Sequence, residues 1–254
     1  MKGRAVTLSP RRRIVADFLY LAKKIPTVPV ERQIDVSAVQ TAHARCADPP
    51  HWSAIFTKAF ALAAREIPPL RRVYLPFPVP HLYEYPVSVG NLAIERTFHG
   101  ETAVSPLLIK DPASRTLADI SRAIDHAKSA PLAELKNLRR MLAIAHLPWP
   151  LRRGLYATIL NSGRHRGNYL GTFGLSGFGP FGVSPMRAIS LFTSFITYGP
   201  FEHGRLVIRG TFDHRALDGT PMAQALVATE HALNTAILDE LKANEGARVI
   251  RASQ

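Results

Sequence analysis

The sequence has a single cysteine, Cys46, and no apolar run long enough to cross a membrane. One thiol excludes an internal disulfide and a cysteine-based metal cluster, and it is typical of a reducing compartment. A bilayer span needs about 20 apolar residues. The basic N-terminal segment is not followed by the apolar stretch of a secretory signal. We therefore expect a cytoplasmic protein, and its 254 residues suffice to bury a full hydrophobic core.

Acidic residues are also scarce, and one long stretch has none. The formal net charge is +13, and no Asp or Glu lies between Leu135 and Phe201. The basic residues within that stretch are Lys136, Arg139, Arg140, Arg152, Arg153, Arg164, Arg166 and Arg187. This asymmetry indicates an anionic partner such as a phosphate-bearing cofactor, an acidic lipid or a nucleic acid, or else a solvated basic face. No recognised nucleic-acid motif is present, so we expect no nucleic-acid partner.

Strands and helices alternate along the chain without internal repeats. Helical spacing of apolar residues predicts helices at 37–45, 51–67, 116–128, 132–145 and 149–160. Ser9 and Pro10 predict the start of an earlier helix, whose apolar face is Ile14, Val15, Phe18, Leu19 and Ala22. A last helix follows Gly219, with one face formed by Met222, Leu226, Thr229, Leu233, Ile237 and Leu241. Strands are predicted at 27–36, 85–98, 102–109, 171–176, 187–199 and 204–214. The interleaving favours one α/β domain over residues 1–254.

The segment GTFDHRALDG, residues 210–219, contains the pattern H-x-x-x-D-G. A chain of this composition is expected to contain that pattern about 0.02 times by chance. A strand that ends near His214, followed by a tight turn at Gly219 and a helix, would hold the imidazole on a rigid edge. Asp218 would anchor the turn. The alternative is a histidine with a purely structural role.

Two other glycine patterns do not predict a site. GFGPFG at 177–182 matches G-x-G-x-x-G, and Glu202 lies where a ribose-binding acid would be sought. However, Pro180 interrupts the loop, and the sequence after it is β-branched and aromatic rather than helical. GLSGF has Phe178 where a nucleophile elbow needs glycine. The histidines show no metal-ligand spacing, so we expect no metal.

DHRALDG resembles the signature of the catalytic domain of the 2-oxoacid dehydrogenase acyltransferases (dihydrolipoyl acyltransferases), within the wider chloramphenicol acetyltransferase-like superfamily. Further segments resemble this family in the same order, across about residues 8–241. LSPRRRIVADFL resembles its opening helix, with Arg12 at the position of the family's arginine, and GTFGLSGFG resembles its glycine-rich strand, whose serine maps onto Ser176. The intervening segments are IDVSAVQ, FTKAFALAAREIPPL and NLAIERTFHGETAVSPLLIKDPASRTLADI. The resemblance implies an α/β two-layer sandwich, with helices and a mixed sheet.

The resemblance also implies a reaction, which is acyl transfer from a thioester with coenzyme A as the thiol. The substrates would be an acyl-CoA and a thiol, hydroxyl or amine acceptor. His214 would act as general base, and Ser176 would donate a hydrogen bond to the oxyanion. Asp218, next to Gly219, would pair with Arg12 and hold the turn. In this family the site forms between subunits of a trimer, so we expect a homotrimer in which His214 approaches Ser176 across the interface.

Three departures from the family leave alternatives open. Gly177 follows Ser176 where the family has a polar residue, and the lipoyl and peripheral-subunit-binding domains are not found. A catalytically inactive trimeric scaffold of the same fold is therefore a second hypothesis. Residues 138–168 resemble an insertion that is rich in basic and aromatic residues. Its arginine pairs around apolar residues suit a membrane surface or a lipid tunnel, or else a surface helix pair with solvated arginines.

Overall fold

The protein is described here from a computed structural model, which covers residues 1–98, 101–131, 134–177, 182–183 and 185–244. Its strands are β1 (Thr27–Asp35), β2 (Arg72–Leu75), β3 (His81–Glu84), β4 (Val89–Phe98), β5 (Glu101–Lys110), β6 (Phe173–Gly177), β7 (Ser194–Tyr198) and β8 (Arg205–Asp213). Its helices are α1 (Pro10–Ala22), α2 (Ser37–Arg45), α3 (Trp52–Glu66), α4 (Leu117–Ser129), α5 (Lys136–Ala145), α6 (Trp149–Asn161), α7 (Gly163–Tyr169) and α8 (Gly219–Ala232). Helix α8 continues as a π-helical segment over Leu233–Ile237 and as α-helix to residue 244.

Six of the strands form one mixed sheet in the order β1-β8-β7-β6-β4-β5. Strand β6 runs parallel to β4 and β7, and the other neighbouring pairs are antiparallel. Strands β2 and β3 form a separate hairpin. This arrangement confirms the predicted α/β class with a mixed sheet.

The main core lies between this sheet and helices α3 and α8. Helix α3 is apolar around most of its circumference, and Ile55, Phe56 and Phe60 are fully buried. The ring of Phe56 stacks on Tyr198 of β7 at 4.2 Å between centroids, and Phe60 meets Phe173 of β6 at 4.9 Å. These contacts fix β6 and β7, which carry the sequence-predicted serine and its neighbours.

The predicted buried faces of α4 and α8 are confirmed. Their positions at helical spacing are almost completely buried: Leu117, Ile120, Ile124 and Ala127 in α4, and Met222, Leu226, Thr229, Leu233, Ile237 and Leu241 in α8 and its continuation.

The predicted apolar face of α1 is confirmed only in part, since three of its five residues are buried or partly buried. Val15 and Leu19 are each 42% exposed, whereas Asp17 is buried. The reason is that α6 turns two arginines toward this side of α1, and Asp17 forms ion pairs with both Arg152 and Arg153.

The hairpin β2–β3 and helix α7 are not predicted from the sequence. The first strand of the hairpin lies in the proline-rich stretch around 68–80, and the second strand follows it directly. The hairpin is separate from the main sheet and is stabilised by contacts with α7. Gly163 and Gly167 of α7 pack directly against the rings of Tyr83 and Tyr85, where a Cβ atom would come within 3.0 Å. The strand predicted at 187–199 is shorter, and forms only over Ser194–Tyr198.

Both edge strands of the main sheet contain proline. Pro29 lies inside β1, and Pro106 lies inside β5. Proline is confined to edge strands or bulges because it has no N–H to donate to a neighbouring strand. Across the described ranges, no helix combines the length and the hydropathy that crossing a membrane requires.

Candidate active site

The turn after β8 holds His214 at the edge of the main sheet. The buried carboxylate of Asp213 accepts two hydrogen bonds from the guanidinium of Arg215, at 2.9 and 2.8 Å, and one from its backbone N–H at 3.0 Å. The backbone N–H of His214 donates to the carbonyl of Pro26 at 3.0 Å. The turn is thus tied both to its own strand and to the segment before β1.

The imidazole of His214 is half exposed and faces Asp218. Its Nδ1 lies 3.5 Å from Oδ1 of Asp218, and the two side chains are 50% and 82% exposed. On its other side, the imidazole ring contacts Phe212 edge-on at 5.6 Å between centroids. Among the described residues, Nε2 of His214 has no hydrogen-bond partner. The half-exposed imidazole therefore keeps Nε2 free of contacts to these residues.

Gly219 has a different place from the one expected. It is the first residue of α8, Asp218 is the N-cap, and the turn itself is formed by residues 214–216. A Cβ atom at Gly219 would meet nothing within 4 Å. Because Gly219 has no side chain, the surface at this position stays open. It lies beside an open groove of about 930 Å³ between α3 and α8, which is lined by Ile67, Gly219, Thr220, Ala223, Val227 and His231.

Ser176 lies near the end of β6, where its side chain is partly buried. The next residue, Gly177, lies against the phenol of Tyr198 on β7, and a Cβ there would come within 2.3 Å of its hydroxyl. Burial raises the pKa of Tyr198, although the hydrogen bond with Ser53 opposes the rise. That bond joins the Tyr198 hydroxyl to Ser53 Oγ at 3.1 Å. Any side chain at position 177 would therefore require the Tyr198 phenol to shift.

Ser176 and His214 are not brought together within one chain. In the sheet register, Ser176 pairs with Thr197 of β7, and Thr197 pairs with Arg209 of β8. His214 lies five residues beyond Arg209. At about 3.3 Å per residue and about 4.8 Å per strand, the two residues are separated by about 16 Å along the strands and about 10 Å across them.

Arg12 is not brought to Asp218 within one chain either. It lies in the first turn of α1, where its backbone N–H donates to the N-cap hydroxyl of Ser9 at 3.3 Å. Its side chain is exposed, and within the described part of the chain it forms no ion pair with Asp218. The expected pairing thus remains a prediction about the assembled protein.

Asp213, Arg215 and Tyr74 support the turn of His214, and none of them was predicted from the sequence as part of the site. The guanidinium of Arg215 bridges the Asp213 carboxylate and the ring of Tyr74, whose centroid is 4.8 Å away. Asp213 and Arg215 lie inside the DHRALDG heptad, so the segment that contains His214 also held the signal for them. Tyr74 is on the unpredicted hairpin and carried no signal.

The other sequence patterns add no second site. The GFGPFG segment lies largely outside the described residues. Of the residues that are described, no three His, Cys, Asp or Glu side chains cluster in a way that could hold a metal ion.

Comparisons with known proteins show the fold. No protein-family model matches the sequence, and no curated protein matches it. Among solved structures, the truncated catalytic core of the 2-oxoacid dehydrogenase multienzyme complex of Thermoplasma acidophilum matches with a TM-score of 0.65 and 16% identity, over 92% of this chain and 99% of that one. The dihydrolipoamide acetyltransferase of Azotobacter vinelandii matches with a TM-score of 0.64 and 14% identity, over 94% of each chain.

A third neighbour is the cubic core of the pyruvate dehydrogenase multienzyme complex, with a TM-score of 0.64 and 13% identity over 94% of each chain. The chain therefore has the fold of the catalytic cores of dihydrolipoamide acetyltransferases.

Proposed function

We propose that this protein is an acyltransferase that moves an acyl group from an acyl-CoA thioester to a thiol, hydroxyl or amine acceptor. The observation that carries the proposal is the geometry of His214. Its Nδ1 lies 3.5 Å from the carboxylate of Asp218, and its half-exposed ring has no hydrogen-bond partner at Nε2 among the described residues. The acetyltransferase fold supports this choice of reaction.

In the proposed mechanism, His214 acts as general base. The Asp218 carboxylate favours a proton on Nδ1, so that the lone pair lies on Nε2 and can accept the proton of the attacking acceptor. General-base catalysis of this kind contributes about 10²–10⁴ in rate. The hydroxyl of Ser176 then donates a hydrogen bond to the tetrahedral oxyanion. As the carbonyl re-forms, the C–S bond breaks and the coenzyme A thiolate leaves, taking the proton from His214.

A neighbour supports the assignment of the histidine. Crystallographic and enzymatic work on the Azotobacter vinelandii enzyme concerns a serine, a histidine and an asparagine in its catalytic mechanism, the asparagine four residues after the histidine. In this chain Asp218 follows His214 at the same spacing. The carboxylate differs from an amide in that it favours a protonated Nδ1 more strongly.

The proposed site is shared between copies of the chain. Because the register separates Ser176 and His214 within one chain, the base of one copy would act with the serine of its neighbour. A homotrimer closes such a head-to-tail contact into a ring. One cation lies near this site, since the exposed guanidinium of Arg187 donates to Thr27 Oγ1 at 2.7 Å, beside the segment that anchors His214.

The first test is turnover of an acyl-CoA panel of increasing chain length with thiol, hydroxyl and amine acceptors. We expect His214→Ala to lose about 10²–10⁴ in kcat, and Ser176→Ala to lose about 10²–10³. Asp125→Asn is a matched control, because it removes an acid that faces a different histidine, His51, at the surface. Turnover by His214→Ala equal to wild type would remove the base from the mechanism. An inactive wild type that binds no acyl-CoA would favour the scaffold hypothesis.

The second test addresses the shared site. His214→Ala and Ser176→Ala chains are each expected to be inactive, and co-assembly at equal amounts should restore about a quarter of the sites in a symmetric ring. If both residues acted within one chain, every site would lack one of them and mixing would restore nothing.

A further inference from the structure

Helix α6 presents an uncharged, apolar side to solvent. Leu151, Gly154, Leu155 and Thr158 follow helical spacing and share one side of the helix. All four are exposed, and Leu151 reaches 63%. Trp149, at the start of the helix, is 61% exposed. Together these five residues are called the α6 outer face.

Both charged residues of α6 form ion pairs with Asp17 of α1. Arg152 is buried and forms an ion pair with the buried Asp17 of α1, while its Nη1 donates to the carbonyl of Leu147 at 3.0 Å. Arg153 turns toward the same carboxylate. A helix on a solvated surface places apolar residues inward and charges outward. The exposed leucines and the buried arginine of α6 depart from this order, as expected of a helix whose outer face is covered.

Cations and aromatic rings line one end of this face. The guanidinium of Arg153 lies 5.0 Å from the ring of Trp149 and 3.8 Å from the ring of Tyr20 on α1. The Nζ atoms of Lys23 and Lys24 lie 4.8 and 5.6 Å from the same Tyr20 ring. The exposed Trp149 thus lies in one cluster with the cations Arg153, Lys23 and Lys24. The two lysines directly follow α1.

The charge of this region decides between possible partners. The chain carries a net charge of +13, and no acidic residue lies between Leu135 and Phe201. In an isologous contact, a second copy would bring the same cations to the face, where like charges repel. An anionic lipid surface attracts them, and it accepts tryptophan and leucine side chains at the boundary between headgroups and acyl chains.

We propose that the α6 outer face, with Lys23, Lys24 and Arg153 beside it, binds the surface of an anionic phospholipid membrane. The helix lies in the interface and does not cross it. Leucine and tryptophan side chains enter the acyl boundary, and the lysines contact headgroup phosphates. The proposal is independent of the proposed acyl transfer, because binding is measured without turnover.

The test is co-sedimentation with vesicles of phosphatidylcholine alone and of phosphatidylcholine with phosphatidylglycerol. We expect binding to the anionic vesicles only. The variants Leu151→Ser/Leu155→Ser and Lys23→Glu/Lys24→Glu should each weaken partitioning by about tenfold or more. Two matched controls change other exposed residues in the same way, Phe77→Ser/Val79→Ser and Arg45→Glu/Arg65→Glu. Controls that lose as much binding as the variants, or no binding by wild type, would overturn the proposal.

Fluorescence locates the contact. The chain has two tryptophans, and Trp52 is packed between His43 and Phe201. Brominated lipids in anionic vesicles should quench wild type but not Trp149→Phe. Equal quenching of both proteins would contradict the proposal. So would a fall in the molar mass of Leu151→Ser/Leu155→Ser at unchanged vesicle binding, which would assign the face to contacts between copies.

Discussion

At the scale of single residues, Tyr85 has a strongly altered proton affinity. Burial is the main cause, and it raises the pKa of the phenol to about 12, although the nearby charge of Arg166 opposes the rise. The Tyr85 hydroxyl donates to the carbonyl of Gly163 at 2.8 Å. Through this bond the residue just after β3 holds the first residue of α7, so the phenol connects the hairpin to the insertion.

The free energy of unfolding at alkaline pH should depend on the proton of the Tyr85 phenol. The unfolded phenol ionises near pH 10, whereas the native phenol keeps its proton up to about 12. Between these values the unfolded state binds fewer protons, so the free energy of unfolding falls as pH rises. At pH 7, Tyr85→Phe should cost about 1 kcal/mol for the lost hydrogen bond. Chemical unfolding of both proteins at pH 7, 10 and 11 should show this difference shrinking. A constant difference would mean that the phenol titrates normally in the native state.

Residue by residue, the sequence predicted the site only in part. The H-x-x-x-D-G pattern identified His214 and Asp218, which the structure places 3.5 Å apart. It could not identify Tyr74, because that contact depends on a hairpin far away in sequence. It also could not explain Gly177, since the hydroxyl that fills the space belongs to Tyr198 on the neighbouring strand.

At the scale of elements, the ion pairs of Asp17 attach α1 to α6. Arg152 contributes through both Nε and Nη2, the latter at 3.4 Å from Asp17 Oδ1. Both side chains are almost fully buried. Burial makes each charge depend on the other, because a lone buried charge keeps its desolvation cost without compensation.

Removing one partner should therefore be more damaging than removing both. Asp17→Asn is expected to lower the free energy of unfolding by about 3–5 kcal/mol, and Asp17→Asn/Arg152→Met to recover much of that loss. Arg122→Gln is the matched control, since its pair with Asp119 lies at the surface and should contribute less than about 1 kcal/mol. Urea unfolding measures all three. A single variant no less stable than the double variant would show that Arg152 is not left unpaired.

The sequence predicted the buried face of a helix correctly where apolar residues pack against the core. It did not do so where a buried ion pair joins two helices. The periodicity of α4 and α8 was sufficient because apolar contacts alone bury those faces. Helix α1 has a comparable pattern, yet Asp17 is buried beside Ala22 while Val15 and Leu19 are exposed. The burial of Asp17 depends on where α6 lies in the fold, and the spacing of residues within α1 gives no information about that position.

At the scale of the whole molecule, the register separates the proposed base from the proposed oxyanion donor. A site completed by a neighbour exists only in the assembled protein, and assembly depends on concentration. We expect the specific activity to fall when the enzyme is diluted below its assembly range, together with the molar mass from light scattering. The thermal midpoint should fall with it. Activity that is unchanged in a solution of monomers would place the whole site in one chain.

The prolines in β1 and β5 have a consequence for the molecule as a whole. An unpaired sheet edge is a template on which further chains can add strands, which leads to fibrillar aggregates. Here each open edge lacks an N–H at one position, Pro29 or Pro106. Edge β1 also carries the charges of Glu31, Arg32 and Asp35. Growth by strand addition is thus obstructed at both ends of the sheet.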